Sequence, residues 1–278
     1  MKISTIIMAK PDHFDIAYAI NPHMRDEKGQ LKKVDTNLAK EQWSKLRLIL
    51  EKIGFKVETL ESKPELYDFV FCANTFFSWK SNNKYFALLS RMMAPARQPE
   101  VEIARKWLHD RQVHLLETPE SLRFEAMGDL IWNLEKNEIY AGHGFRTTES
   151  ALDFLRKTIP FPLIPLKLVS EYFYHLDTCF FVLNSDCAAV VKEALEPASL
   201  KILENRFKNL ITIDHDEALN HFAGNAFCPD GRNVIIQSGA KKLAAKLESF
   251  GFLIHSVNTS EFIKSGGSVF CLKNFLVE

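Results

Sequence analysis

His175 and Asp177 stand two positions apart in the aromatic run "SEYFYHLDTCFF" (170–181). Alternate residues of a strand point to one face, so the run predicts an imidazole and a carboxylate emerging side by side. A strand that only needed burial would not carry two ionisable groups on one face. Further along, Cys271 lies in "KSGGSVFCLK", where Gly266 and Gly267 allow a tight backbone approach. A cysteine and a histidine can serve as nucleophile and general acid/base, the thiolate attacking and the imidazolium protonating the leaving group. Asp68, Glu125 and Asp177 add carboxylates, which oppose an oxyanion and so suit acyl transfer poorly. They suit a cation. A guanidinium is planar, presents five N–H donors that match carboxylates two at a time, and has an electrophilic carbon while its charge is kept. Singly, each residue has a plainer use: a buried thiol for Cys271, a surface ion pair for Glu125, the start of a strand for Asp68. The combination is what carries chemistry.

Side chains so far apart in sequence need a scaffold to bring them together, and the chain shows a recurring order. An amphipathic helical stretch is followed by a short apolar strand, then by a connector ending in a polar residue that opens a β-rich segment. The first helix is predicted in "NLAKEQWSKLRLILEKIG" (37–54), with Leu38, Trp43, Leu46 and Leu50 on one side and Gly54 just past its end. The strand "FKVETL" and the segment "DFVFCAN" follow. Comparable rounds run through "EVEIARKWLHDR", "TESALDFLRKT", "ASLKILENRFKN" and "AKKLAAKLESFG". Asp68 and Asn74, Glu125 and Asp129, His175 and Asp177, Asn225, and Cys271 fall at equivalent points of the five units. Five α/β units predict a closed ring of small sheets with helices outside and these residues converging near its axis. No linker-like tract divides the chain, so residues 1–278 are expected to form one domain. A doubly wound α/β sheet is the competing arrangement, but no GxGxxG or GxxxxGK[ST] follows a strand, and "SGGS" (265–268) has no helix to open.

Lys+Arg and Asp+Glu both number 35, a balance that argues against a general nucleic-acid binder. The aromatic "NTFFSWKSNNKYF" therefore reads as a hairpin turning at Ser81–Asn83 and not as a base-stacking platform. No apolar run is long enough for a membrane span, and the opening apolar stretch is too short for a secretory signal. The five cysteines form no CxxC pair and read as cytosolic thiols, so a cytoplasmic, metal-free protein is expected. The polar segment 23–35, "HMRDEKGQLKKVD", is a candidate flap.

At these residues the sequence resembles the guanidino-group-modifying enzymes: arginine deiminases, dimethylarginine dimethylaminohydrolases and amidinotransferases, which share the five-bladed pentein α/β propeller with pseudo-fivefold ββαβ repeats. The resemblance covers nearly the whole chain. It is carried by "NPHM" (21–24), "DFVFCAN" (68–74), "PARQPE" (95–100), "FEAMGD" (124–129), "GHGFRT" (142–147), "FYHLDTCF" (173–180) and "SGGSVFCL" (265–272), in the family's order.

The resemblance implies Cys271 as nucleophile, His175 as general acid/base, and Glu125, Asp177 and Asp68 around the guanidinium. It also implies Arg146 and Arg97 on the substrate carboxylate, with Asn21 and Asp129 as second contacts. No metal or organic cofactor is implied; the partner is a small guanidino compound, with no nucleic acid or membrane, and a homo-oligomer is left open. Two positions depart from the usual pattern. Ala126 replaces a glycine of the "FE…GD" motif. Asn74 stands where the deiminases and dimethylaminohydrolases carry a second aspartate, and resembles the branch that hydrolyses arginine through to ornithine. The expectation is a hydrolase of the guanidino C–N bond acting through a covalent amidino-thioether. Alternatives are a deiminase or dimethylaminohydrolase giving citrulline, an amidinotransferase, and a non-catalytic pentein that binds a partner.

Overall fold

The computed structural model describes residues 1–278. Its strands gather into five small sheets. The N-terminal strand β1 (Ile3–Ala9), helix α1 (Thr36–Lys52) and strand β2 (Val57–Leu60) come first. A second unit holds β3 (Phe76–Ser81), β4 (Lys84–Leu89), α2 (Gln98–His109) and β5 (His114–Glu117). The short helix α3 (Ala126–Asp129) leads into β6 (Leu130–Asn133), β7 (Glu138–His143), α4 (Ala151–Thr158) and β8 (Leu163–Lys167). Next come β9 (Phe180–Val182), β10 (Cys187–Val190), α5 (Pro197–Arg206) and β11 (Asn209–Thr212). After α6 (His215–His221), β12 (Asn233–Gln237), α7 (Lys241–Ser249) and β13 (Leu253–Val257) form the fifth group. The chain ends with α8 (Ser260–Ile263) and β14 (Asn274–Val277).

The sheets repeat one pattern. The middle strand runs antiparallel to the first and parallel to the third, in the orders β3-β4-β5, β6-β7-β8, β9-β10-β11 and β14-β1-β2. β12 and β13 are parallel, and an isolated antiparallel bridge between Phe227 and Ile235 takes the place of their first strand. Each parallel pair is joined through a helix, as a parallel connection requires. The chain's two ends meet in one sheet, β14 lying against β1.

Sequence chemistry explains these elements. Asp35 caps α1 by accepting from the backbone N–H groups of Asn37 and Leu38, and Ala39, Trp43, Leu46 and Leu50 face the core. Gly54 follows with φ +102°, the C′ position expected of it. The turn between β3 and β4 is made by Asn82 and Asn83, both at positive φ (49° and 59°); this is the two-residue hairpin turn that matches strand twist, as predicted. Most buried apolar side chains belong to one large cluster, and a smaller one packs Phe69, Phe76, Trp107 and Leu276 under the second unit. No helix is long and apolar enough to cross a membrane.

Two expectations about local structure are corrected. His175 and Asp177 do not lie on a strand: residues 176–178 form a 3₁₀ turn, and His175 precedes it in extended conformation. The Thr178 hydroxyl donates to the His175 carbonyl and Asp129 Oδ1 accepts from the Leu176 N–H, so side-chain bonds override the aromatic run's strand propensity. "DFVFCAN" is likewise not β-rich but folds into turns ending in a 3₁₀ segment at 72–74.

Candidate active site

The polar residues singled out in the sequence occupy turns that precede the first strand of each sheet. Asp68 and Asn74 come before β3, Glu125 and Asp129 before β6, His175 and Asp177 before β9, Asn225 before the Phe227 bridge, and Cys271 before β14. The turns are tied to one another. Asn225 Oδ1 accepts from the backbone N–H groups of Ser268, Phe270 and Cys271, while its Nδ2 donates to the Asp177 carbonyl and to Cys271 Sγ (3.2 Å). Asn274 Nδ2 donates to the carbonyls of Cys72, Ala73 and Phe76. Asp129 joins two further turns, accepting from Thr147 N–H and Leu176 N–H. Asn225 was marked only as an equivalent point of the repeat; the structure makes it the residue that fixes the cysteine.

Around a small cavity lie Ile20, Asn21, Met24, Asp68, Phe71, Asn74, Arg97, Arg146, Tyr174, His175, Ser265, Gly266 and Cys271, with about 10 Å³ of free space, room for roughly one water. Cys271 is 3% exposed, and its Sγ–H donates to Asp177 Oδ2 at 3.1 Å. Burial and the Asp177 carboxylate push this thiol well above the ordinary range. His175 Nε2 lies 2.8 Å from Glu125 Oε2. The other oxygen, Oε1, accepts from the Met93 N–H, and Arg146 Nη1 approaches Oε2 at 3.3 Å. Burial alone would raise the Glu125 carboxyl, but Arg146 and His175 hold it well below the usual carboxylate range. Burial pushes Asp177 up to about 7 and Asp129 to about 6.

Three buried polar atoms among these residues have no hydrogen-bond partner: Asp68 Oδ2, Asp177 Oδ1 and Asn74 Nδ2. The Tyr18 hydroxyl, itself outside hydrogen-bond geometry with any partner, lies close enough to Asp68 to favour its carboxylate. Asn74 is oriented by Arg97, whose Nη1 donates to Asn74 Oδ1 at 2.9 Å, so the Nδ2 donor is turned the other way. Buried polar atoms are nearly always paired; Asp68 and Asn74 border the cavity and Asp177 stands behind Cys271, so an acceptor and a donor left over at the cavity, with a further acceptor behind it, mark a place where a ligand completes the bonding.

Several sequence-predicted contacts are placed differently. Arg97 borders the cavity, but Nε and Nη2 bind Glu100, Nη2 also reaches the carbonyls of Asp68 and Phe71, and Nη1 binds Asn74. Four of its five N–H groups are thus committed within the protein, which leaves it ill-placed to clamp a carboxylate. Glu100, whose carboxyl burial raises to about 7, is the partner the sequence reading overlooked within "PARQPE". Asp129, Glu125 and Asp177 do not border the cavity: Asp129 binds backbone through both oxygens, while Glu125 and Asp177 stand behind His175 and Cys271. Arg146 stays at the cavity, donating to the Ile20 carbonyl (2.7 Å) and lying over the Tyr174 ring at 4.6 Å.

The cover is Ile20–Met24 and not the whole of 23–35. Asn21 Nδ2 reaches the Ser265 carbonyl (3.0 Å) and Tyr174 Oη (3.3 Å), and Met24 is buried, whereas Arg25–Gln30 is exposed. Gly266 has φ +87°, and a Cβ there would meet Asn21 Nδ2 and Tyr174 Oη at 2.7 Å. At Ala126, where the resemblance leads one to expect glycine, φ is +41°, a left-handed conformation an L side chain adopts at a cost.

Comparison with known proteins fits this arrangement. The family model described as N,N dimethylarginine dimethylhydrolase, eukaryotic, matches residues 10–275. The bifunctional arginine dihydrolase/ornithine cyclodeaminase ArgZ of Synechocystis is 31% identical over 270 residues, which is 96% of this chain but 37% of that protein. The N(G),N(G)-dimethylarginine dimethylaminohydrolase of Mycobacterium tuberculosis is 32% identical over 95% of this chain and 83% of its own length. A crystal structure of the ArgZ N-terminal domain, covalently bound to a reaction intermediate, superposes with a TM-score of 0.91 at 30% identity, covering 99% of this chain and 98% of that one. The mixed α/β fold is that of the guanidino-group-modifying superfamily, the penteins. Within it, the chain belongs to the dimethylarginine dimethylhydrolase family.

Proposed function

We propose that residues 1–278 act as one catalytic unit that hydrolyses the guanidino group of arginine through to ornithine, ammonia and CO2. The five sheets then serve as blades around an axis, their pre-strand turns forming the site. The observation that carries the reading is the trio of unpartnered atoms. Asp68 Oδ2 and Asp177 Oδ1 offer acceptors to a planar cation, and Asn74 Nδ2 offers a donor to the carbonyl that appears once the first nitrogen has left. An aspartate at position 74 would face that carbonyl acceptor to acceptor. ArgZ and AgrE, each 31% identical to this chain, are arginine dihydrolases by name. A cysteine-to-serine variant of the ArgZ domain has been solved bound to substrate, which supports a cysteine nucleophile.

In this mechanism the resting thiol of Cys271 gives its proton to His175 when a guanidinium brings positive charge against Asp177, and the thiolate adds to the guanidinium carbon. His175, held by Glu125, delivers a proton to the departing ammonia, leaving an amidino-thioether on Cys271. His175 then takes a proton from water, which attacks the same carbon, and citrulline and the free thiol form. A second passage over the ureido carbon releases the second ammonia and, after hydrolysis, ornithine and CO2. Arg146 and Asn21 at the mouth bind the substrate carboxylate, and Arg97 orients Asn74.

The test is incubation with L-arginine alone, following ammonia, citrulline and ornithine, for the parent chain and for Asn74→Asp. Ornithine with two ammonia per arginine is expected from the parent and accumulating citrulline from the variant. Identical products from both would remove Asn74 from the mechanism. Citrulline alone from the parent would make the enzyme a deiminase. Turnover of methylated arginine in preference to arginine would make it a dimethylaminohydrolase, dependence on an added amine a transferase, and no turnover at all a binding protein.

A further inference from the structure

Lys273 has no part in the chemistry above, yet it lies two residues beyond Cys271 with no exposed surface. Its Nζ has no hydrogen-bond partner. It sits instead in a box of three aromatic rings, 3.1 Å from the centroid of Phe270, 3.9 Å from Phe227 and 4.7 Å from Phe275. An ammonium is attracted to ring faces, the more so when water is excluded. A lysine buried without a partner is otherwise costly, and a methionine would fill such a box without that cost.

The box is coupled to the nucleophile. Phe270 and Cys271 share one anchor, Asn225 Oδ1, and the same asparagine's Nδ2 holds both Cys271 Sγ and the Asp177 carbonyl. Asp177 forms no ion pair, in contrast to Glu125 and Glu100, which have Arg146 and Arg97. The ionisable groups acting on Lys273 are Asp177 from the turn before β9, Cys72 from the turn before β3 and Cys271 from its own turn. On Asp177 they are Cys271, Lys273 and, from the far side, Arg97. Burial pushes the lysine's proton affinity well below its ordinary value and the three acidic neighbours offset part of that; the ring faces add an attraction for the ammonium form.

We propose that the Lys273 ammonium, held in its aromatic box, is the fixed counter-charge of the Asp177–Cys271 pair and biases that pair toward its deprotonated forms. The inference rests on the assignment of Cys271 as nucleophile and on nothing about the substrate. A positive charge acting on two coupled acids lowers both macroscopic pKa values, so its removal raises both.

The experiment measures iodoacetamide alkylation of Cys271 against pH, by mass spectrometry on the full chain without substrate. For Lys273→Met the midpoint is expected to move up by about one pH unit, about a tenfold slower alkylation on the acid side of the wild-type midpoint. Lys273→Arg, which keeps the charge, is expected to retain the wild-type midpoint. An unshifted Lys273→Met profile, or the same shift in both variants, overturns the proposal, the second outcome showing packing and not charge at work. Should Lys273→Met fail to fold, the charge is read directly. In 13C-lysine-labelled wild type, the Cε resonance absent from Lys273→Arg should report an ammonium at pH 7, and a neutral amine there overturns the proposal. Turnover of arginine is scored separately. A shifted midpoint in a protein without turnover sinks the proposed function and not this inference; the reverse pattern does the opposite.

Discussion

Three of the buried carboxylates in and behind the cavity wall are satisfied. Glu125 is held by Arg146, His175 and a backbone N–H, Glu100 by Arg97, and Asp129 by two backbone N–H groups. Asp68 and Asp177, by contrast, each leave one oxygen without a partner, and the bond Asp177 does make comes from a thiol. The paired group is apparatus: it fixes the histidine and the asparagine. On the function proposed above, the unpaired group is receptor, with electrostatic capacity held in reserve for a cation that is not part of the chain. A buried carboxylate thus speaks for function when its bonding is incomplete, and for architecture when it is complete.

The largest effect expected from this contrast is on turnover. Cys271→Ser should lower kcat for arginine at least about 10³-fold while leaving the urea midpoint nearly unchanged; a large loss of stability would mean that the cysteine is part of the scaffold. Next come two carboxyl-to-amide changes predicted to have opposite signs. Glu100→Gln strips Arg97 of its buried partner and should destabilise the chain by about 3–5 kcal/mol. Asp177→Asn should stabilise it while abolishing turnover.

The sign for Asp177 follows from linkage. Its carboxyl rises from an ordinary 3.8 to about 7 on folding. Between those values the folded chain keeps a proton that the unfolded chain has released, so stability falls as pH rises through that window. Parent and Asp177→Asn should therefore melt alike near pH 4 and diverge above pH 7, by up to about 4 kcal/mol. Equal melting at pH 8 would mean that Asp177 is paired after all. The smallest change sharpens the scaffold side alone: Ala126→Gly relieves a left-handed alanine and should stabilise by about 1 kcal/mol in denaturant unfolding.

Much of this was legible in the residues. The first helix is written in its apolar spacing, its Asp35 cap and Gly54, because those features act within a few residues. Cys271 and His175 stood out as chemical types in motifs. Less legible was anything set by a partner distant in sequence. "FYHLDTCF" has strand composition, but Asp129 turns it by accepting from Leu176, a bond 47 residues long in sequence. Arg97 looks like a clamp for a carboxylate until Glu100, at the start of α2, takes its guanidinium. Asn225 has no motif to mark it, since its role is to bond five groups at once, and only the fold assembles them.

The near absence of free space around Cys271 has a kinetic corollary. On the proposed function, arginine enters past Ile20–Met24 only when the Asn21 bonds to Tyr174 and Ser265 break, and citrulline leaves only when they break again. The same clasp therefore sets commitment. If reopening is slow beside the second hydrolysis, nearly every captured arginine emerges as ornithine; if it is fast, citrulline escapes. Product ratio would then report the lifetime of the two Asn21 hydrogen bonds at the rim, so that loosening Asn21 should shift it without altering Cys271 or His175.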